Sequence, residues 1–355
     1  MRQFLRWTLV IPILAWILYF SNLAAAGPVF QLLASILLIF SVMAAVHHSE
    51  VVAHRVGEPY GTIILAIAIT VIEVSIIVSL MLAGGGQAQS LARDTVYSAT
   101  MLILNGIVGL CLFIGGMKHH EQRFSVHSTT IALVSLVSII VFTLVIPTFT
   151  DSVQGGYYST PQLVLASISC LVIYGFFLFA QTSRHREYFL SGDSADQHKV
   201  KVVDNKELVF SLVFLVASLA IVVLLAKTLS PAIEALVISY QLPVTLVGVV
   251  IAMIILLPEA IAAVNAARKN RLQTSLNLSL GSALASIGLT IPTVALVCIF
   301  YDMRIVLGLD IKAILLLGLS VFTVMLSLSA GRTNLVYGVV LLVNLLAFIF
   351  LIIYP

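Results

Sequence analysis

Two glutamates sit inside strongly apolar runs of this chain: Glu73 in ILAIAITVIEVSIIVSLML and Glu259 in LVGVVIAMIILLPEAIAAV. A carboxylate kept in hydrocarbon is costly unless it faces a cavity, a partner or an ion, so each marks a functional site by default. Carboxylate oxygens suit hard cations and protons alike. Desolvation raises a carboxyl's pKa, and a second carboxylate beside it raises it further, so such a pair holds protons near neutral pH until a cation displaces them. Proton and cation then compete for the same oxygens, and if only loaded states reorient the outcome is antiport. A pair of carboxylates balances one Ca²⁺, two protons or up to two Na⁺, and the residue types do not choose among these.

The neighbours of the glutamates extend this chemistry. Thr70 lies one turn before Glu73 and adds a hydroxyl. Pro258 directly precedes Glu259 and predicts a helix break, because an interior proline removes one backbone bond and frees carbonyl oxygens; a plain kink is the other reading. The helix after each glutamate carries small polar residues on one face. The first offers Ser98 and Asn105, and the second offers Ser275, Ser279, Ser282 and Ser286. Their spacing aligns them. They line an ion path with neutral oxygens, or they only let helices pack closely in lipid.

These residues need a membrane scaffold. The chain has 355 residues, 61% of them hydrophobic and only 9% charged, against roughly 25% charged in soluble domains. It lives in a bilayer. The net charge of +3 forms no basic patch, which argues against a nucleic-acid partner. Cys111, Cys170 and Cys298 all fall in apolar runs and read as small buried hydrophobes. The N-terminal run MRQFLRWTLVIPILAWILYFSNLAAAG ends like a signal peptide, but its apolar core is long and reads better as a retained first helix.

Runs long enough to span, about 20 residues, lie near 4–23, 28–45, 60–83, 95–116, 128–149, 161–180, 208–226, 242–267, 274–299, 305–329 and 335–354. The predicted fold is an all-α polytopic membrane protein with about 11 transmembrane helices. Of the 18 lysines and arginines, only Arg93, Lys227, Arg304 and Lys312 fall on one side under this count; the rest share the side of the N-terminus. The positive-inside rule puts the N-terminus in the cytoplasm and the C-terminus in the periplasm. The longest polar stretch, 181–207, divides the chain. The organisation read is an N-terminal helix (1–27), a first five-helix repeat (28–180), a cytoplasmic linker (181–207) and a second five-helix repeat (208–355). Five is odd, so the halves are inverted, as in many secondary transporters. Each glutamate falls in the second span of its half.

Other polar clusters have plainer readings. HHSEVVAHRVGEPYG (His47, His48, Glu50, His54, Glu58) and MKHHEQRFSVH (His119, His120, His127) read as solvated loops at the cytoplasmic face, with pH sensing as the alternative. Asp193, Asp196, Asp204 and Glu207 belong to an ordinary linker or collect cations at the cytoplasmic mouth. Arg93 and Asp94 form a vestibule pair or an interfacial anchor, and Glu234 reads as an outer-surface residue. A channel would show a filter sequence, and none is present. An intramembrane enzyme would need a nucleophile and base or a metal cluster; no HExxH occurs and no histidine lies deep in an apolar run, so the chain is not read as an enzyme.

GTIILAIAITVIEVSIIVSLM and LPEAIAAVNAARKNRLQTSLNLSLGSALASIGLTIP resemble the paired alpha-repeats of the calcium/cation antiporter superfamily, most closely its bacterial sodium/calcium–proton members. The resemblance covers nearly the whole chain. It implies ten core helices in inverted halves, with Glu73 and Glu259 binding the transported cation at mid-membrane and Asn105 and Ser282 beside them. Val74 and Ala260 follow the glutamates, where sodium/calcium exchangers often add an acid or amide, and this favours a proton-driven exchanger. Many calcium–proton members have a glycine–asparagine pair before the glutamate and a histidine after it; here the neighbours are VIEV and LPEA, so Na⁺ and K⁺ stand beside Ca²⁺ as cargo. The expectation is an antiporter of the bacterial inner membrane that extrudes Ca²⁺ or Na⁺, with K⁺ a further candidate, and takes up H⁺. It would need no cofactor and have the lipid bilayer and inorganic cations as partners. A cation channel, or an exchanger not coupled to protons, is the alternative. Monomer and homo-oligomer are both open.

Overall fold

The computed structural model describes residues 4–23, 27–56, 60–83, 88–189, 205–240, 243 and 245–354. It is all-α. The helices are α1 (Phe4–Phe20), α2 (Pro28–Val56), α3 (Tyr60–Ala83), α4 (Ala88–Met101), α5 (Val108–His119), α6 (Val126–Ile140), α7 (Thr160–Phe179), the short α8 (Arg186–Phe189), α9 (Asn205–Ser239), α10 (Thr245–Arg268), α11 (Leu272–Phe300), α12 (Ile311–Leu328) and α13 (Leu335–Ile353). A π-helical turn, Leu102–Ile107, joins α4 to α5, so the two form one continuous span, Gln89–His119. Among the described residues nine helical stretches are long and apolar enough to cross a membrane, and Trp7–Phe20 and Ile67–Ser79 are shorter apolar ones. Each of the eleven runs read from the sequence falls on one of these. In hydrocarbon a helix is the form that satisfies every backbone group within one segment, so hydropathy alone fixes most of the elements.

Local chemistry sets the ends. Ser159 N–H donates to Gln162 Oε1 at 3.0 Å and Pro161 sits in the first turn of α7, a pairing that satisfies groups orphaned at a helix start. Asn334 Oδ1 accepts from Val336 N–H at 2.9 Å and caps α13. Three boundaries differ from the sequence reading. α2 continues through the histidine-rich stretch to Val56. α9 runs for 35 residues, from Asn205 to Ser239, and contains Pro231. α12 starts at Ile311 rather than near 305, because the backbone before it is engaged elsewhere: Val306 N–H donates to Gln89 O at 3.0 Å and Leu309 N–H to Leu144 O at 3.0 Å.

The chain forms two compact units, each drawn from both sequence halves. The first comprises 1–85 and 197–247. Here α2 and α9 pack along one another, α1 lies against both, and α3 packs on both as well. Ala34, Ser41, Ala44, Ala45 and Ser218 are buried, small residues of the kind that permit close approach in lipid. Trp16 Nε1 donates to Ala217 O at 3.2 Å and fastens α1 to α9.

The second unit comprises 86–196 and 248–355. α5 packs on α13 and α11 packs on α7, so the third span of each half lies against the fifth span of the other. This reciprocity is what two inverted repeats produce. The α5–α13 approach depends on glycine: a Cβ on Gly338 would stand 2.4 Å from Phe113 N.

Candidate cation site

α10 and α11 run antiparallel, and polar contacts set their register. Ser275 Oγ donates to Ala263 O at 2.8 Å, and Ser282 Oγ donates to Glu259 Oε2. Glu259 is 5% exposed and Ser282 8%. The end of α10 is held by the stretch after α5: Gln122 Nε2 donates to Ala267 O at 3.0 Å and Lys118 Nζ to Arg268 O at 3.1 Å. These take up carbonyls that a helix end leaves orphaned, and a lysine there also matches the negative end of the helix dipole. The carboxylate is thus carried by a helix fixed at its end and met by a hydroxyl from its neighbour. A buried carboxylate with a hydroxyl donor can take a proton or a cation.

The expected break at Pro258 does not occur. α10 is helical throughout Thr245–Arg268, with Pro258 inside it. Proline removes one rung of the backbone ladder, and the surrounding rungs keep the helix intact.

The serine stripe divides on inspection. Ser275, Ser279, Ser282 and Ser286 are all buried on α11. Ser279 Oγ donates to Ser275 O at 2.9 Å and is committed to its own helix; Ser282 turns to the carboxylate. Opposite this stripe, Gly288 lies under the Tyr174 ring of α7, where a Cβ would be 3.0 Å from Tyr174 Cβ.

Asn105 is fully buried on the π turn. Its Nδ2 donates to Ser320 Oγ on α12 at 2.8 Å, while Oδ1 has no hydrogen-bond partner. Its one amide contact with another helix is therefore to α12. Ser98, two turns back on α4, is buried with its hydroxyl unpartnered. π turns are often found at functional sites. The only sequence signal for this one is the Asn105–Gly106 pair, and nothing in the sequence points to Ser320, which lies 215 positions away.

In the first unit, Glu73 lies on α3, 4% exposed, with Thr70 6% exposed one turn earlier. Both glutamates and their helix-borne hydroxyls are therefore withdrawn from water, each in its own unit.

Some polar residues lie differently from the sequence reading. His48 is on α2, 3% exposed, with its ring 5.6 Å from that of Phe214 on α9, so it is not a solvated loop residue. The sequence hid this because α2 outruns its apolar core. His119 Nε2 lies 3.0 Å from Arg268 O. Arg93 and Asp94 form an ion pair at 2.8 Å, with Ser90 Oγ donating to Asp94 Oδ2 at 3.1 Å and Arg93 Nη1 to Gly308 O at 3.1 Å. Asp193, Asp196, Asp204 and Glu58 lie outside the described residues, as do the side chains of His54 and Glu234, while Glu207 is exposed in the first turn of α9. The three cysteines are buried and free. Among the described residues no group of three or more His, Cys, Asp or Glu could hold a metal ion.

Comparison with known proteins agrees with this architecture. The signature of the family described as sodium/calcium exchanger protein matches residues 27–183 and 210–354. The chain is 40% identical over 349 residues to the putative ionic transporter y4hA of Sinorhizobium fredii, covering 97% of this chain and 95% of that protein. It is 32% identical over 340 residues to the sodium-potassium/proton antiporter ChaA of Escherichia coli, covering 93% and 92%. The solved structure of native YfkE superposes with a TM-score of 0.76 at 17% identity, covering 98% of this chain and 100% of that one. The H⁺/Ca²⁺ exchanger CAX gives 0.73 at 14% identity, covering 96% and 87%. Those identities speak for the fold; the family signature speaks for descent, and an ion exchanger makes and breaks no covalent bond. The chain belongs to the sodium/calcium exchanger protein family.

Proposed function

We propose that this protein is a secondary antiporter that exchanges Ca²⁺ or Na⁺, and K⁺ as a third cargo, for H⁺ across a bacterial cytoplasmic membrane, through competition at Glu73 and Glu259. The observation that carries the reading is Glu259: a carboxylate 5% exposed in an apolar helix, met by the Ser282 hydroxyl. Glu73, equally withdrawn in the corresponding span of the other half, is its counterpart. The proposed repeats are 28–180 and 208–355, with the N-terminal helix 1–27 outside them and 181–207 as a cytoplasmic linker. In this topology the N-terminus is cytoplasmic and the C-terminus periplasmic, in line with the lysine and arginine distribution.

The relatives support proton coupling and widen the cargo. ChaA is named for sodium and potassium against protons; YfkE is described as a Ca²⁺/H⁺ antiporter and CAX as an H⁺/Ca²⁺ exchanger. The test is the purified protein in sealed vesicles carrying a lumenal pH dye, with Na⁺, K⁺ and Ca²⁺ added in turn. Wild type is expected to move protons against at least one cation, and Glu73→Gln and Glu259→Gln each to abolish this for every cation. Cation flux without proton movement would favour a channel or an uncoupled exchanger, and full coupling in either variant would remove that glutamate from the mechanism.

A further inference from the structure

Hydroxyls buried in these helices commonly donate to a carbonyl one turn back. Thr100 does so to Val96 O at 2.8 Å, Thr143 to Ile139 O at 2.8 Å, Ser279 to Ser275 O at 2.9 Å and Ser320 to Leu316 O at 2.8 Å. In the first unit Ser41 and Ser218, at the close approach of α2 and α9, do not; in the second unit neither do Thr95, Ser98 and Thr290. All three are fully buried, and none of their hydroxyl oxygens has a hydrogen-bond partner. An unsatisfied buried hydroxyl is costly and calls for an explanation.

Their positions supply one. Thr290 lies four residues beyond Ser286 and so continues the face of α11 that carries Ser275 and Ser282, the face addressed by Ala263 and Glu259 of α10. α10 touches α4 at Thr95: a Cβ on Gly248 would stand 3.2 Å from both Asp94 C and Thr95 N. α4 also packs directly on α11. Ser98 follows Thr95 by three residues, one turn nearer the level of Glu259. The three hydroxyls are therefore carried by two packed helices, on the side of Glu259 where α4 begins and α11 ends. Asp94, 9% exposed and held by Arg93, stands at that end.

We infer that Thr95, Ser98 and Thr290 form a transit site for an alkali cation on one side of Glu259. The site offers neutral oxygens and no charge of its own. Ca²⁺ sites depend on carboxylate ligands, so neutral hydroxyls suit a monovalent ion that keeps part of its water. Weak binding fits a step on the way in, where an ion must enter and leave readily.

This rests on Glu259 as the cation site, and the experiment separates the two. Vesicles with the protein in one orientation are assayed for Na⁺-driven proton movement, with Na⁺ offered at either face, for wild type, Thr95→Val, Thr290→Val and the double variant. Valine keeps the shape and removes the hydroxyl. kcat/KM for Na⁺ is expected to fall at least threefold in each single variant and further in the double, by the same factor at either face because the ion crosses the same path in both directions, while kcat/KM for H⁺ keeps its wild-type value. Thr95→Ser and Thr290→Ser, which keep the hydroxyl, should restore wild-type values. Loss at one face alone, an equal loss of kcat/KM for H⁺, no loss at all, or failure of serine to rescue would overturn the transit site. Exchange retained in Glu259→Gln would instead overturn the reading on which it is built.

Discussion

Ser282 connects α11 to the carboxylate of Glu259, and its hydroxyl is spent on that contact. A hydrogen bond to a charged group contributes about 1.5–3 kcal/mol, and at a cation site it also holds the carboxylate in one orientation. Ser282→Ala should therefore raise the KM for the transported cation by roughly ten- to a hundredfold, with the protein still folded, as KM measurements on reconstituted protein would show. Ser282→Thr, which keeps the hydroxyl, should stay near wild type. At this scale the sequence was partly legible. Glu73 and Glu259 stand out because a carboxylate in an apolar run has few bland explanations. The division of labour among the serines did not: Ser279 and Ser282 look alike in sequence, and only the register of α10 on α11 turns one to its own backbone and the other to Glu259. His48 reads as a loop residue for a related reason, since its burial depends on Phe214 of α9, far away in sequence.

The helices themselves were legible because hydropathy is a property of each segment alone. What escaped was set by contacts between segments. α12 begins late because Leu307 and Gly308 N–H groups donate to Gly156 O, at 3.1 and 2.9 Å, and hold the preceding backbone out of the helix. The α5–α13 packing depends on Gly338 in the same way. A side chain there would drive into the Phe113 backbone, and overpacking of this kind costs about 1–3 kcal/mol. Gly338→Leu should lower the apparent melting temperature of the detergent-solubilised protein by several degrees. Gly318→Ala on α12, where nothing lies within 4 Å of a new Cβ, should leave it unchanged. Equal melting temperatures for the two variants would argue that α5 and α13 do not meet as described.

At the scale of the molecule, two features bear on function. Each compact unit takes a part of both sequence halves, and each carries one buried glutamate on its own helix. The lysines and arginines fall unevenly on the two sides of the span count, and the proposed orientation follows from that asymmetry. Fold class and span number were readable from composition, but the grouping of helices into units was not, because it follows from which spans touch. If protons and cations share the two carboxylates, the affinity for cation is linked to pH. Apparent affinity should fall by up to about tenfold for each unit by which the pH is lowered, per proton displaced, at pH values where the carboxyls are protonated.

That linkage can be read without transport. Cation binding to the purified protein, followed by titration calorimetry in buffers of different ionisation enthalpy at each of several pH values, counts the protons released per cation bound. Proton release is expected on cation binding to wild type and less of it in Glu73→Gln and Glu259→Gln. Tight binding with no protons released across the pH range would contradict the account.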